Sequence, residues 1–183
     1  MPGDELIDVD HLLEQFSTYK DDHAVHETLN GHTMLQAPFV LHHKEGGGAA
    51  VKAVVRFGRA TRGHPQLVHG GIAALIFDNL FGWAMFLGGT THVFTANLQV
   101  DYVKPLPCDT VCLVSVGLDR REGRKLYLRG ELTSLDGGVT YQRATSLFII
   151  PRPGQGVVAA AAAAAPASDG AEAPTAATGL KLG

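Results

Sequence analysis

One carboxylate lies inside an otherwise apolar stretch of the chain, and its position suggests chemistry. Residues 72–87 are almost entirely apolar, but Asp78 stands near their middle. An ionised carboxylate in apolar surroundings is costly unless it is paired. Two interpretations follow for Asp78. It is a nucleophile or general base in a mostly dry site, or it is a structural aspartate that accepts hydrogen bonds from hydroxyl groups at a helix contact.

Two glycines, Gly70 and Gly71, begin this stretch directly after His69. The first N–H groups of a helix have no partner within it, and the helix dipole adds partial positive charge there. Since glycine has no Cβ, a ligand can approach these N–H groups closely. The pattern predicts a site for an anion, or for a carbonyl oxygen that becomes an oxyanion. Two glycines alone also fit an ordinary flexible helix start.

The spacing of these groups makes a prediction about assembly. Gly71, Ala74, Asp78 and Gly82 share one face of a helix predicted over residues 70–86. Gly70 and Asp78 are separated by about 12 Å along the helix axis, so one reacting carbonyl cannot touch both. If both serve one reaction, the second group comes from another copy of the chain. The spacing therefore favours a symmetric dimer with two composite sites, although the small residues also fit plain close packing.

The remaining pattern is mostly that of strands. Within residues 92–105, Thr95 and Asn97 alternate with apolar residues and are predicted to share one polar face. Sequential hairpins favour an α+β fold, an antiparallel sheet of about six strands with the long helix packed on one face.

An amphipathic helix is predicted within residues 1–30, one domain over 31–153, and a disordered tail over 154–183. The predicted strands lie at 33–44, 49–60, 92–105, 109–119, 124–136 and 138–150.

Composition excludes several classes of protein. The 183 residues are 45% hydrophobic and 18% charged, with a net charge of −3, which suits one globular domain. Without a basic surface, nucleic acid is not an expected partner. The apolar stretch falls short of the roughly 20 residues of a membrane span, so stable membrane insertion is not expected. Cys108 and Cys112 are expected to be reduced. The acidic N-terminus favours a cytoplasmic location over secretion or import.

Several motifs together resemble a known family. They are VHGG at the start of a long helix with an aspartate nine residues after the histidine, TANLQVDYVKPLP, GRKLY and ATSLFII. Over residues 50–151 they resemble the hotdog-fold acyl-CoA thioesterases of the PaaI-like group. In particular they resemble the mammalian mitochondrial long-chain acyl-CoA thioesterases, superfamily members four and five. It implies a hotdog fold, a long central helix wrapped by a curved antiparallel sheet, in a homodimer or a dimer of dimers.

The resemblance also implies hydrolysis of a fatty acyl-CoA thioester to the free fatty acid and CoA. The family's catalytic carboxylate falls on Asp78, its carbonyl-polarising amide on Gly70, and its hydroxyl on Thr95. His69 is expected to fix the helix start through a hydrogen bond, with a direct catalytic role as the alternative. A thiolate leaves easily, so no metal or organic cofactor is expected.

Further residues are predicted to contact the substrate. Many PaaI-type members have an asparagine six or seven residues before the first helix glycine. Gly63 and His64 stand there in this chain, so that role is missing or taken by His64. The phosphates of CoA need basic partners, although a solvated hairpin turn would also be rich in basic residues. The predicted substrate contacts are Gly71, His64, Asn97, Lys104, Arg121, Arg124 and Lys125.

Other interpretations of the same residues remain open. Histidine pairs at 23/26 and 42/43 have loose metal-ligand spacing but no cysteine or acidic partner, so surface histidines are favoured over a metal site. A hydratase or dehydratase on the same fold would pair a catalytic histidine with an acid, and no histidine follows Asp78 on its helix. A non-catalytic module that binds acyl-CoA is the second alternative. A protein that only forms a dimer through its helix is the third.

Overall fold

A computed structural model describes residues 4–7, 23–43 and 50–152 of the chain. The predicted helix near residues 8–22 and the predicted tail lie outside these ranges. Helix α1 comprises Gly70–Leu87, and a π-helical turn comprises Ala24–Thr28. The strands are β1 (Asp4–Ile7), β2 (Leu35–His43), β3 (Ala50–Phe57), β4 (Arg62–His64), β5 (Leu67–Val68), β6 (Phe94–Tyr102), β7 (Thr110–Glu122), β8 (Lys125–Ser134) and β9 (Thr140–Ile149).

The main sheet is antiparallel and has the strand order β1-β2-β3-β7-β8-β9-β6. Six long strands form it, and the short β1 adds a seventh beside β2, with Ile7 opposite Val40. The predicted α+β layout and the six predicted strands are confirmed. The strand β1 was not predicted, since four residues near an acidic N-terminus give no clear alternation.

Helix α1 packs its bulky side chains onto the inner face of the sheet. Phe77 lies against Gly130, where an added Cβ would stand 3.1 Å from the Phe77 ring and 2.9 Å from Val116. Phe81 meets Phe148 edge to face at a centroid distance of 6.4 Å. Each such buried side chain stabilises the fold by about 1.5–3 kcal/mol. The buried residues of α1 are Ala73, Ile76, Phe77, Leu80, Phe81, Trp83, Ala84 and Met85.

By length and composition alone, α1 is apolar enough to cross a membrane. The core helices of soluble proteins have the same composition, and the buried half of α1 rests on the sheet as such a helix does. The opposite face is less covered. Gly71 is exposed there, while Ala74, Asp78 and Gly82 are half-buried, so the predicted stripe of small residues is turned away from the core.

The histidines at 23 and 26 are half-buried, which corrects the expectation that they lie on the surface. The Nδ1 atom of His23 accepts hydrogen bonds from the amides of Val25 and His26, each at 3.2 Å. Burial lowers the pKa of His23. His26 accepts a hydrogen bond from Nε1 of Trp83 at 3.1 Å, which ties the π-helical turn to α1. Within the described ranges, no three His, Cys, Asp or Glu side chains are grouped to hold a metal ion.

Candidate active site

The carboxylate of Asp78 and the hydroxyl of Thr95 meet between α1 and β6. Oγ1 of Thr95 donates a hydrogen bond of 2.8 Å to Oδ1 of Asp78. Asp78 is half-buried and Thr95 is exposed in the single chain. The carboxylate is thus held in one orientation by a hydroxyl, with its other oxygen left for a further partner. The hydrogen bond gives the half-buried carboxylate the partner that it needs. The same geometry suits a nucleophile or general base.

A β-bulge in β6 turns Thr95 toward the helix. Thr95 pairs with Phe148 of β9, but the next paired residue of β6 is Asn97, opposite Leu147, so Ala96 is the extra residue. Residues directly opposite each other in an antiparallel sheet share a face, and Phe148 packs against α1. Thr95 therefore points toward α1. Bulges commonly redirect a side chain beside a functional site.

The bulge also corrects the prediction that Thr95 and Asn97 share one face. After the extra residue the alternation restarts, so Asn97 lies on the outer face opposite Leu147 while Leu98 returns to the inner face opposite the buried Ser146. The structure does not bring the Asn97 side chain together with Asp78. Its backbone carbonyl instead accepts a hydrogen bond of 2.6 Å from Oγ of Ser146. Simple alternation in the sequence gives no signal of such a bulge.

At the start of α1, the two glycines have different roles. The Gly71 amide donates a hydrogen bond of 2.9 Å to Nδ1 of His69, which caps the helix. This confirms the hydrogen bond predicted for His69 and requires a neutral ring with its proton on Nε2. The Gly70 amide, in contrast, donates to no acceptor in the described part of the chain. Gly70 is therefore the available donor, and the Gly71 amide is already used by the cap.

The ring of His69 occupies the space in front of Gly63. A Cβ at Gly63 would stand 2.8 Å from Cδ2 of His69, so a side chain there is excluded while His69 caps the helix. His64 follows on β4, exposed and opposite Leu67. The capping histidine thus fills the position beside the helix start, and the structure gives the His64 side chain no hydrogen bond to either predicted catalytic group.

The amide of Gly70 and the carboxylate of Asp78 do not meet within one chain. Each has a neighbour on β6: Tyr102 lies against Gly70, and Thr95 binds Asp78. Tyr102 pairs with Gln142 and Thr95 with Phe148, so the two β6 residues are separated by about 20 Å along the sheet. The single chain therefore presents two half-sites at different levels of the sheet.

Comparison with known proteins identifies the segment that holds both half-sites. Residues 66–141 match the thioesterase superfamily. The match includes Gly70, Asp78 and Thr95. Over 88 residues the chain is 42% identical to acyl-coenzyme A thioesterase THEM4 of Rattus norvegicus, which is 48% of this chain and 37% of that protein. The chain thus spans little more than a third of the length of this curated relative.

Solved structures give the fold. The thioesterase superfamily member 2 of Mus musculus superposes with a TM-score of 0.58 at 11% identity, covering 78% of this chain and 96% of that one. A hypothetical thioesterase of Streptococcus pneumoniae with coenzyme A superposes with a TM-score of 0.54 at 16% identity, covering 61% and 87%. The hotdog fold implied by the sequence is confirmed.

The predicted phosphate contacts do not form one patch. Lys104 follows β6 at the end where Tyr102 pairs with Gln142. The turn between β7 and β8 lies at the other end, where Lys125 pairs with Ile149. In that turn Arg121 donates to the carbonyl of Gly123 at 3.1 Å, and Arg124 donates to the carbonyl of Ile150 at 2.9 Å. All four basic residues are exposed, but Lys104 is separated from the others by the length of β9.

The contact of Gly63 with His69 generates a test of the helix cap. Gly63→Ala is expected to displace His69 and break its bond to the Gly71 amide, lowering the free energy of unfolding by about 1–2 kcal/mol. Urea denaturation measures this. Gly31→Ala is the matched control, since its Cβ would meet only the end of the Met34 side chain at 3.7 Å. Equal stability of the two variants would contradict the packing described for His69.

Proposed function

We propose that this chain hydrolyses fatty acyl-CoA thioesters to the free fatty acid and CoA. The observation that supports it most directly is the Asp78 carboxylate, held by Thr95 and located on the same helix as a free N-terminal amide. The match to the thioesterase superfamily and the name of the rat relative point to the same reaction. The pneumococcal thioesterase structure contains coenzyme A, which agrees with a CoA thioester as substrate.

The chemistry needs one base or nucleophile and one group that stabilises negative charge. As a base, Asp78 takes a proton from water while the water oxygen bonds to the thioester carbon. The carbonyl oxygen becomes an oxyanion and accepts a hydrogen bond from the Gly70 amide. The C–S bond then breaks, and the proton held by Asp78 passes to the leaving thiolate. As a nucleophile, Asp78 bonds to the same carbon, expels the thiolate and forms an anhydride that water hydrolyses. Thr95 orients the carboxylate in both routes.

The site is proposed to be shared between two copies of the chain. The Gly70 amide and the Asp78 carboxylate lie too far apart along α1 to act on one carbonyl. In the described part of the chain, no strand pairs with the outer edge of β6, so this edge is available to a second copy. Two chains related by a two-fold axis would place the helix start of one beside the Asp78–Thr95 pair of the other.

A two-fold dimer would also bring together the basic residues that lie at opposite ends of the sheet in one chain. Lys104 lies at the Gly70 end of the sheet, and the turn containing Arg121, Arg124 and Lys125 lies at the end nearer Thr95. Bringing opposite ends of two protomers together would place Lys104 of one protomer near that turn of its partner. We therefore assign these residues to the phosphates of CoA, with contributions from both protomers.

A non-catalytic acyl-CoA-binding module is the second candidate, because hydrogen-bonded carboxylates also occur in sites that only bind. A hydratase is disfavoured by a specific contact, since the group hydrogen-bonded to Asp78 is the hydroxyl of Thr95 and not a histidine. Measured turnover of acyl-CoA distinguishes the hydrolase from the binding module.

Thiol release from acyl-CoAs of increasing chain length, measured for the wild-type protein and Asp78→Asn, tests the reaction. Asp78→Asn is expected to lower kcat at least about 100-fold. Thr95→Val is expected to lower kcat about 10-fold, because the carboxylate loses its orienting partner. Thr145→Val is the matched control, at an exposed position on the outer face of β9. Unchanged turnover in Asp78→Asn would refute the reaction, and tight binding without turnover in the wild type would favour the binding module.

Mixing two inactive variants tests the shared site. Gly70→Pro removes the amide hydrogen, and its Cβ would displace the ring of Tyr102, which it would meet at 2.9 Å, so the variant disables the half-site at the helix start. Proline suits the first residue of a helix, and the extended backbone of His69, with ψ of 130°, is compatible with a following proline. Homodimers of Gly70→Pro and of Asp78→Asn are each expected to be nearly inactive. After subunit exchange, a mixed dimer has one intact site, and activity is expected to recover to about a quarter of the wild-type level. If activity does not recover although subunit exchange is proven, the two groups do not form a site shared between two copies of the chain.

Substitution in the β7–β8 turn tests the phosphate contacts. Arg121→Ala together with Arg124→Ala is expected to raise KM for acyl-CoA roughly 10-fold with little change in kcat, since charged hydrogen bonds are lost in substrate binding. The increase should shrink at high salt. Arg129→Ala, an exposed arginine elsewhere on β8, is the control. An unchanged KM would show that the turn is only a solvated hairpin.

A further inference from the structure

Tyr102, the last residue of β6, lies against the first residue of α1. An ideal Cβ on Gly70 would stand 2.9 Å from Cε1 and 2.9 Å from Oη of Tyr102. The ring therefore touches the helix residue whose amide donates to no acceptor in the described part of the chain. Tyr102 is 57% exposed, and its hydroxyl has no hydrogen-bond partner in the described ranges.

The distance between the two donors suits a shared acceptor. Since an ideal Cβ is about 2.5 Å from its own backbone nitrogen, Oη of Tyr102 lies no more than about 5.4 Å from the nitrogen of Gly70. One carbonyl oxygen that accepts two hydrogen bonds of about 2.9 Å along its lone-pair directions joins donors about 5 Å apart. A single carbonyl oxygen can therefore accept from both.

A second polar group without a partner lies at the same level of the sheet. Gln142 is directly opposite Tyr102 in the sheet and is only 3% exposed. Its side-chain oxygen, Oε1, has no hydrogen-bond partner. Two residues further along β9, Ala144 pairs with Gly130, which lies under Phe77, so Gln142 lies nearer the first turn of α1. Buried polar atoms are rarely left unpaired, and a functional role or a water molecule is a recognised reason.

We propose that Tyr102 is a further catalytic residue, whose hydroxyl donates a second hydrogen bond to the thioester carbonyl oxygen beside the Gly70 amide. The inference rests on the function proposed above. As the carbonyl carbon accepts the nucleophile, its oxygen gains negative charge and both hydrogen bonds strengthen. No proton leaves the hydroxyl. Two donors at one oxyanion stabilise the transition state more than the bound substrate, so the effect falls on kcat.

Tyr102→Phe tests the proposal, because it keeps the ring against Gly70 and removes only the hydroxyl. We expect kcat for acyl-CoA to fall about 10-fold or more while KM rises by no more than several-fold. Tyr127→Phe is the control, since that hydroxyl bonds Glu122 at the far end of the sheet. An unchanged kcat in Tyr102→Phe would overturn the proposal.

Two unreactive analogues of one acyl-CoA separate this proposal from the general function. In the ketone analogue a methylene replaces the sulfur, and in the thioether analogue a methylene replaces the carbonyl. Tyr102→Phe is expected to weaken binding of the ketone several-fold and leave that of the thioether unchanged, as measured by calorimetry. Equal weakening of both would mean that Tyr102 only shapes the site. A wild-type protein that binds both analogues without hydrolysing any acyl-CoA would refute the proposed function. The effect of Tyr102→Phe on the ratio of the two affinities would still show whether the Tyr102 hydroxyl contacts the carbonyl oxygen.

Discussion

The packing of α1 along the inner face of the sheet determines where every group of the candidate site lies. Phe77 fits over Gly130, and Phe81 meets Phe148, so the helix is held at two levels of β8 and β9. These contacts place the helix start beside the end of β6 and Asp78 beside its beginning. Because they are large, close-packed side chains, a shift of the helix by one turn would leave cavities in the core and is strongly disfavoured. The small residues of α1 lie on the opposite face, where they leave the carboxylate accessible.

The orientation of Thr95 depends on a local irregularity in that otherwise regular packing. Without the extra residue Ala96, Leu98 would still pair with Ser146. The residues of β6 before the bulge, however, would each be shifted by one position along β9. A one-residue shift moves side chains to the other face of a sheet. The bulge lets the apolar residues of β6 face the core in one part of the strand and lets a hydroxyl face Asp78 in the other.

Local patterns were sufficient to predict the helix start, the long strands and the sheet. Glycine and histidine before an apolar run mark a capped helix, and alternation marks strands, because both depend on neighbours within a few residues. That Asp78 and Thr95 belong to one site was predicted only through resemblance to a family. Features that depend on packing between segments distant in the sequence were missed: the bulge at Ala96, the hydrogen bond from Trp83 to His26, and the ring of Tyr102 on Gly70. The basic residues were predicted as one patch because the sequence does not show which ends of the strands they occupy.

The exposure of β6 is hard to explain for a chain that acts alone. Most of its residues are exposed, its outer edge has no partner strand in the described ranges, and Tyr102 and Val103 present large apolar surface at its end. Proteins usually protect such an edge with charges, prolines or a covering segment, since it otherwise pairs with other chains. Here the same strand supplies Thr95 to one half-site and Tyr102 to the other. A second copy paired along this edge would cover the exposed strand and complete both half-sites at once, so the requirement for protection and the requirement for chemistry have the same solution.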